Sequence, residues 1–253
     1  MVSCIGIIAR LNSKRLKNKH LLQVNNKPIL SYLIERIKFE FQNEIDNNLL
    51  EISLLTGNEK DNKDFINLVD FYKIRIFFGN NDNVLLRIHE NLKINKYTSI
   101  ICVEGDDILC SVKGMRQIYE SLKKNSKDIV KTRSYPFGMN SLGFTFEFIN
   151  RFFNKENLSY NKSIWKTSLE RDNKVIFVDN LHKWDNRLRF TLDYPDDLKF
   201  FNEIINSNLN IKTAKDKEII DHVIGHEVYK FNSHLIADYW KNYNHESKND
   251  EIK

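Results

Sequence analysis

At 253 residues with 41% apolar side chains, the chain can bury one substantial core, and its modest net charge of +5, mixed along the chain, excludes a general nucleic-acid binder. No stretch has the length of a membrane span, the N-terminus lacks a signal-peptide pattern, and the three cysteines lack metal-type spacing. We therefore expect a cytoplasmic protein without a membrane partner, in which Cys4 and Cys102 are buried free thiols.

The first predicted element is a strand over residues 2–8, an apolar run rich in β-branched residues. A long polar loop follows, and from Arg10 to Lys27 it carries six Lys or Arg and no Asp or Glu. Pro28 suits the first position of the next helix, where its missing N–H costs nothing. The positive charges of such a loop repel one another unless an anion binds among them, and a triphosphate is the obvious candidate.

Strand and helix signals alternate through the first half of the chain. Short apolar runs predict strands at 52–55, 74–78, 99–103 and 128–131. Apolar faces with helical spacing predict helices around 29–37, 65–69, 84–92 and 115–122. The alternation predicts an α/β fold, a mostly parallel sheet with helices on both faces. Such sheets bind ligands beyond the carboxyl ends of their strands, where the basic loop, Thr56 and Asp106 all fall.

The second half of the chain is less regular. Residues 144–153 fit either a strand or a helix, and residues 188–192 predict a strand that ends at Asp193. Asp196 is expected to cap the helix that begins near Pro195, and Thr213 with Asp216 resembles a capping box for the last helix. We expect a single domain over 1–240, with 133–190 as a small irregular lobe or dimer arm, and a polar tail over 241–253.

Five motifs occur in the order in which a known family carries them. They are Ala9-Arg10-x-x-Ser13-x-Arg15-Leu16-x-x-Lys19 with Lys27-Pro28-Ile29-Leu30, Gly79 with Val84-Leu85-x-Arg87, Gly105-Asp106, Tyr135-Pro136-x-Gly138, and Thr191-Leu192-Asp193-Tyr194-Pro195-Asp196-Asp197-Leu198. Together they resemble the CTP-dependent cytidylyltransferases that make CMP-linked sugar acids, a group that includes the spore-coat-polysaccharide cytidylyltransferases. The resemblance covers about residues 3 to 232. It implies a Rossmann-like sheet of the nucleotide-diphospho-sugar transferase type, Mg²⁺ as cofactor and a homodimer.

The resemblance also implies roles for individual residues in the transfer of CMP from CTP with release of pyrophosphate. The proposed catalytic cations are Arg10, Arg15 and Lys19, because a guanidinium offers a bidentate fork to phosphate oxygens and an ammonium offers a point charge. Asp106 and Asp193 are the proposed magnesium ligands. The CTP-binding residues would be Ala9, Arg10, Ser13, Arg15, Lys19, Thr56, Arg87 and Asp106.

Several of these positions have a purely structural alternative. Asp106 could serve turn chemistry after Gly105, and Asp193 could serve as a turn or cap before the helix. Thr56, with the two residues after it, either contacts the cytosine or ribose or forms a plain strand-end turn. Arg87 either binds the ligand or braces the sheet, and Asp107 has no assigned role.

The acceptor is expected to be a small anion, most simply a 2-keto-3-deoxy sugar acid of the nonulosonate or Kdo type destined for a surface polysaccharide. A phosphate- or phosphonate-bearing acceptor, a glycosyltransferase on a similar sheet and an inactive nucleotide-binding homologue are the alternatives. Lys17 and Ile108 depart from the family pattern near the nucleotide. Asn140 and Leu142 stand where the spore-coat subgroup carries acids, which we interpret as a change on the acceptor side.

Overall fold

The computed structural model describes residues 2–13, 15–124, 129–155, 165–170, 173–180 and 184–241. Outside this part of the chain lie Lys14 of the basic loop, Asp128 of the predicted fifth strand, residues 156–164, 171–172 and 181–183 of the predicted lobe, and 242–253 of the predicted tail. The strands are β1 Ser3–Ile8, β2 Gln23–Val24, β3 Lys27–Pro28, β4 Leu50–Thr56, β5 Arg75–Phe78, β6 Ser99–Glu104, β7 Ile129–Arg133, β8 Leu142–Thr145 and β9 Val175–Asp179.

Seven of these strands form one sheet in the order β5-β4-β1-β6-β8-β7-β9. Every pairing is parallel except those of β8, which runs antiparallel to both β6 and β7, so the predicted mostly parallel sheet is confirmed. The chain adds β4 and β5 on one side of β1 and then crosses to β6 on the other side. Such a reversal opens a crevice at the carboxyl ends of the two strands, here β1 and β6.

Helices cover both faces of the sheet. They are α1 Leu30–Glu40, α2 Gln42–Asp46, α3 Glu59–Asn62, α4 Ile66–Tyr72, α5 Val84–Asn95, α6 Val112–Lys124, α7 Phe146–Lys155, α8 Trp165–Glu170, α9 Pro195–Ile205 and α10 Asp216–Gly225, with 3-10 turns at Lys19–Leu21, Lys63–Phe65 and Val228–Phe231. Residues 235–241 are also helical. None of the helices in the described ranges is both long and apolar enough to cross a bilayer.

The alternation of side chains along β1 separates two cores. Ile5 and Ile7 pack in one core with α1, α4 and α6, whereas Cys4 and Ile8 pack in the other with α5, α7 and α8. A third core holds α9, α10 and the extended segment 188–192 together beyond the sheet. The cysteines at positions 4, 102 and 110 are buried and free, as predicted for the first two.

Three local predictions are wrong. Pro28 does not begin a helix: it pairs with Gln23 in a hairpin whose turn residues Asn25 and Asn26 have positive φ of 48° and 60°, and α1 begins at Leu30. Residues 188–192 form no sheet strand within the described structure, since their one β-bridge joins Arg189 to the turn at Phe137.

The third error concerns helix caps. Tyr194, not Asp196, is the N-cap of α9, because Asp197 accepts the Tyr194 backbone N–H at 3.0 Å. In the same way Lys215, not Thr213, caps α10, because Glu218 accepts the Lys215 N–H at 2.7 Å. The ambiguous segment at 144–153 contains both a strand and a helix: its first two residues end strand β8, and the rest belongs to helix α7.

Candidate active site

The basic loop begins where three strand ends meet. The Ala9 N–H donates to the Leu55 carbonyl at 3.2 Å, and the Gly105 N–H donates to the Ile8 carbonyl at 2.8 Å, so the loop leaves β1 between β4 and β6. A Cβ on Gly105 would come within 2.8 Å of the Ala9 side chain. These two small residues therefore allow the basic loop to lie against the turn that carries Asp106.

Lys19 is the centre of the candidate site. Its ammonium donates to Asp106 Oδ2 and, at 2.9 Å, to Asp193 Oδ1, and the residue is only 6% exposed. Burial alone would lower the pKa of Lys19, but the charges of the two carboxylates outweigh it and raise that pKa. The ammonium thus stays charged and joins residues from the two predicted metal-binding segments.

Asp106 follows β6 directly and is the more accessible of the two acids, with a side chain 28% exposed. His20 Nε2 lies 2.6 Å from its Oδ1. Burial would raise the pKa of Asp106, but Lys19 and His20 hold it well below the usual range for a carboxyl. Asp106 is therefore an ionised carboxylate at the mouth of the crevice, in a position where a cation can reach it.

Asp193 closes the group from the other side. Besides Lys19, its Oδ1 accepts from Arg15 Nη2 at 3.0 Å, and its Oδ2 accepts from Arg189 at 3.3 Å. Arg15 is 43% exposed, with its guanidinium 5.3 Å from the centre of the Tyr194 ring, and the Asp193 charge raises the pKa of Arg15 in spite of partial burial. The structure therefore brings together Arg15, Lys19, Asp106 and Asp193.

The other predicted nucleotide-binding residues lie outside this charged group. Arg10 is exposed on the loop, and Ser13 Oγ accepts the Leu16 N–H at 3.4 Å, which helps to shape the loop. Thr56 is fully buried, and its hydroxyl has no hydrogen-bond partner in the described part of the chain. Arg10 and Ser13 are accessible to a ligand, whereas Thr56, the last residue of β4, is buried.

Arg87 is 2% exposed and is held by backbone carbonyls. Its guanidinium donates to the carbonyls of Leu55 at 3.2 Å, Asn80 at 3.1 Å and Asn81 at 3.4 Å. Burial, with a contribution from the Arg10 charge, lowers the pKa of Arg87 to about 10. Of the two interpretations that the sequence left open, these contacts favour the bracing one.

The positions that depart from the family pattern also have structural roles. Leu142 is buried in β8, opposite Cys102, and so cannot contact an acceptor from there. Asn140 donates to the Pro136 carbonyl at 3.0 Å and its Oδ1 accepts from Thr132 at 3.3 Å, which fixes the turn after Tyr135. Ile108 is fully buried and Lys17 is exposed. Leu142 therefore cannot contact an acceptor, whereas Asn140 is only partly buried, and a change on the acceptor side at Asn140 stays a prediction.

Sequence reasoning missed two residues of the site, His20 and Arg189. His20 follows Lys19 in the chain and carried no signal of its own. Arg189 did carry one, because it stands between Leu188 and Phe190 in an otherwise apolar run and four residues before Asp193. A charge in that position needs a buried partner.

The donor set of this site can be compared with the needs of a metal ion. Within the described residues there is no group of three or more His, Cys, Asp or Glu side chains that could hold a metal. Asp106 and Asp193, however, both touch one ammonium, so their oxygens are close enough for one cation to meet both. Magnesium usually takes one or two carboxylates and fills its other positions with water and phosphate oxygens. The residues present therefore fit Mg²⁺ bound together with a nucleotide phosphate.

A mostly parallel sheet with cations and acids gathered at the crevice beyond its two central strands defines a nucleotide-binding α/β enzyme. The model of the cytidylyltransferase family matches residues 4–223. The chain therefore belongs to the cytidylyltransferase family, and the protein is a CTP-dependent nucleotidyltransferase.

The chain is also similar to individual proteins and solved structures. The uncharacterized protein MJ1063 of Methanocaldococcus jannaschii is 28% identical over 222 residues, which cover 86% of this chain and 88% of that protein. The structure of a cytidylyltransferase from Leptospira borgpetersenii superposes with a TM-score of 0.79 at 21% identity, over 90% of this chain and 96% of that one. A CMP:2-keto-3-deoxy-manno-octonic acid synthetase complexed with CTP superposes with a TM-score of 0.61 at 13% identity. The superposition covers 83% of this chain and 100% of that one. At these identities the two structures are evidence for the shared fold.

Proposed function

We propose that the protein transfers CMP from CTP to a 2-keto-3-deoxy sugar acid of the nonulosonate or Kdo type, releases pyrophosphate, and supplies a surface polysaccharide pathway. The observation that carries the proposal is the position of Lys19 between Asp106 and Asp193, with Arg15 beside it, at the crevice of the sheet. The likeness to a synthetase for a CMP-linked 2-keto-3-deoxy acid supports the choice of acceptor.

The charges of the site suit a triphosphate. CTP brings about four negative charges, and each contact with a cation at roughly 4 Å and an effective dielectric constant near 20 is worth about 4 kcal/mol before desolvation. The loop that leaves β1 at the crevice carries Arg10, Arg15 and Lys19. When the magnesium complex of CTP binds, Lys19 and Arg15 can exchange carboxylate oxygens for phosphate oxygens, so that each charge keeps a partner.

The transfer itself needs little from the protein beyond positioning and charge. A hydroxyl oxygen of the acceptor forms a bond to the α-phosphorus, the bond from that phosphorus to the pyrophosphate oxygen breaks, and the hydroxyl proton is released. Bound Mg²⁺ would neutralise charge on the phosphates and on the leaving pyrophosphate. Lys19 is the cation that we assign to the α-phosphate, and Arg10 and Arg15 are assigned to the outer phosphates.

A matrix of nucleotides and acceptors tests the proposal. Each of the four nucleoside triphosphates is paired with sugar acids, sugar phosphates and phosphonates, and pyrophosphate is measured with and without EDTA. We expect release with CTP and a 2-keto-3-deoxy acid only, and its loss with EDTA. Release with a phosphate- or phosphonate-bearing acceptor would replace the proposed acceptor class. CTP binding without pyrophosphate from any acceptor would indicate an inactive homologue.

We also propose that the protein is a homodimer, as the family resemblance implies. Sedimentation equilibrium of the full chain tests this independently of activity. A mass of twice 30.1 kDa is expected, and a mass of one chain at all concentrations would contradict it.

A further inference from the structure

Behind Asp193 lies a buried polar group that the sequence motifs did not explain. The Arg189 guanidinium donates to Asp193 Oδ2 at 3.3 Å and to both oxygens of Asp197, at 2.8 Å from Nε and 3.0 Å from Nη2. All three residues are at most 3% exposed. Asp193 therefore presents one oxygen to Lys19 and Arg15 while the other is held from behind.

Asn232 fixes the far side of this group. Its Nδ2 donates to Asp197 Oδ1 at 2.9 Å and to the Arg189 carbonyl at 3.0 Å, and the residue is fully buried. Asp197 also accepts the backbone N–H of Asp193 at 2.9 Å. Through these contacts Asn232 acts on both the main chain and the carboxylate of Asp193.

Aromatic rings cover the guanidinium of Arg189. Its Cζ lies 5.3 Å from the ring centres of Phe137 and Tyr239, and Tyr239 packs on Phe137 with 4.6 Å between centres. Asn232 and Tyr239 both lie beyond residue 223, where the match to the family model ends. The C-terminal segment 228–241 thus reaches back to the residues that support Asp193.

We propose that Arg189 and Asn232 are positioning residues for nucleotidyl transfer: they hold Asp193 so that Oδ1 faces Lys19 and Asp106, and they make segment 228–241 a working part of the site. The inference rests on the proposed role of Asp193 as a magnesium ligand. Partners that orient a metal ligand from behind typically matter tenfold to a hundredfold for metal affinity.

Stability does not account for this arrangement. Two carboxylates and a guanidinium are costly to desolvate, and well-packed apolar side chains in their place are often at least as stable. Arg189 Nη1 and Asn232 Oδ1 moreover have no hydrogen-bond partner in the described ranges. Two unsatisfied buried polar atoms lower the stability of the fold. We therefore assign this buried polar group the task of orienting the Asp193 carboxylate.

Calorimetric titration of CTP into the full-length protein, with and without Mg²⁺, tests the inference without an acceptor. In the wild type, Mg²⁺ is expected to increase the affinity for CTP. In Asn232→Ala we expect this increase to be about tenfold to a hundredfold smaller, while the affinity without Mg²⁺ changes little. The matched control is Asn206→Ala, an exposed amide at the end of α9 that bonds to Asn202, and it should behave as wild type. If folded Asn232→Ala gains as much affinity for CTP from Mg²⁺ as the wild type does, the inference is overturned.

Arg189→Lys provides a second variant if Asn232→Ala does not fold. Lysine keeps the charge but lacks the planar fork that reaches Asp193 and Asp197 together, so the same loss is expected. Asp193→Asn then separates the two proposals. If it keeps the full magnesium gain, the ligand role of Asp193 is wrong. If it loses the gain while Asn232→Ala and Arg189→Lys keep it, only the positioning inference is wrong.

Discussion

Two cationic groups lie at the same edge of the sheet, and their partners differ in kind. Lys19 and Arg15 contact carboxylates that come from positions 87 to 178 residues away in the chain. Arg87 contacts carbonyls, two of them only six and seven residues away. Carboxylates can be shared with an incoming cation, whereas backbone carbonyls have fixed positions. Lys19 and Arg15 can therefore exchange their carboxylate partners for the phosphates of a ligand, whereas Arg87 stabilises the fold.

The largest effect is expected at Asp106. Asp106→Asn removes the charge that Lys19 and a magnesium ion would share, so pyrophosphate release from CTP should fall to background and lose its dependence on Mg²⁺ while the protein stays folded. Circular dichroism and a magnesium titration of activity measure the two parts. Asp221→Asn, an exposed acid on α10, is the control. If Asp106→Asn melts early with activity intact, Asp106 is structural.

Removal of either exchangeable cation should have the next largest effect. Lys19→Ala and Arg15→Ala are each expected to lower turnover by about two to three orders of magnitude, as for the loss of one preorganised charge contact. Steady-state rates at saturating CTP provide the measurement. Lys17→Ala, an exposed lysine of the same loop, should leave the rate unchanged. Wild-type turnover in both variants would refute the assignment of the loop to the phosphates.

Arg87 should show the opposite pattern, a loss of stability with little loss of ligand binding. Arg87→Met keeps the aliphatic volume but leaves three carbonyls without their donor, so the free energy of unfolding should fall by about 2–4 kcal/mol. Urea denaturation measures this, with Lys93→Met on the exposed face of α5 as control. If Arg87→Met keeps its stability but binds CTP more than tenfold more weakly, the contrast between the two groups fails.

The smallest effect concerns Asp107, which lies beside Asp106 but has no contact with Lys19 or His20 among the described hydrogen bonds. Burial, with the nearby charges of Glu104 and Asp106, raises the pKa of Asp107 to about 8. The folded protein therefore retains a proton that the unfolded chain releases above about pH 4, so the free energy of unfolding decreases as pH rises toward 8 and levels off beyond it.

Asp107→Asn removes this titration. In EDTA, its stability relative to wild type should increase on the order of 1 kcal/mol over the last pH unit below 8. Asp70→Asn, an exposed acid on α4, should follow the wild-type curve. Parallel curves for Asp107→Asn and wild type would show that burial does not distinguish the two neighbouring acids.

The regular elements were predictable because their signals are local. The apolar strands and the helical faces from 29 to 122 follow from the spacing of side chains, and the sheet follows from their alternation. Pro28 was misplaced because its ring suits a helix start as well as an edge strand, and the Asn25-Asn26 turn decided between them. Residues 188–192 are apolar and extended, but their neighbours are a turn and helices, so their spacing could not show that they leave the sheet.

The candidate site was predictable only in part for the same reason. Motifs indicated Arg15, Lys19, Asp106 and Asp193, and the structure brings these four together. Which cation meets which acid is decided by packing across the whole chain, and so is the burial of Arg87 against backbone carbonyls. Asn232 gave no signal, because its partner Asp197 lies 35 residues earlier and on another element.

The contact between Lys19 and Asp193 spans 174 residues, and that between Asn232 and Asp197 comes still later in the chain. Chains emerge from the ribosome N-terminus first, so β1 and its basic loop are made long before Asp106 and Asp193, the two acids that pair with Lys19 and Arg15. A nascent chain halted after α6 would contain the central strands and most of one core, yet it would lack Asp193, one of the two acids that contact Lys19. On the proposed roles of Asp193 and of segment 228–241, the last quarter of the polypeptide determines when the enzyme becomes competent.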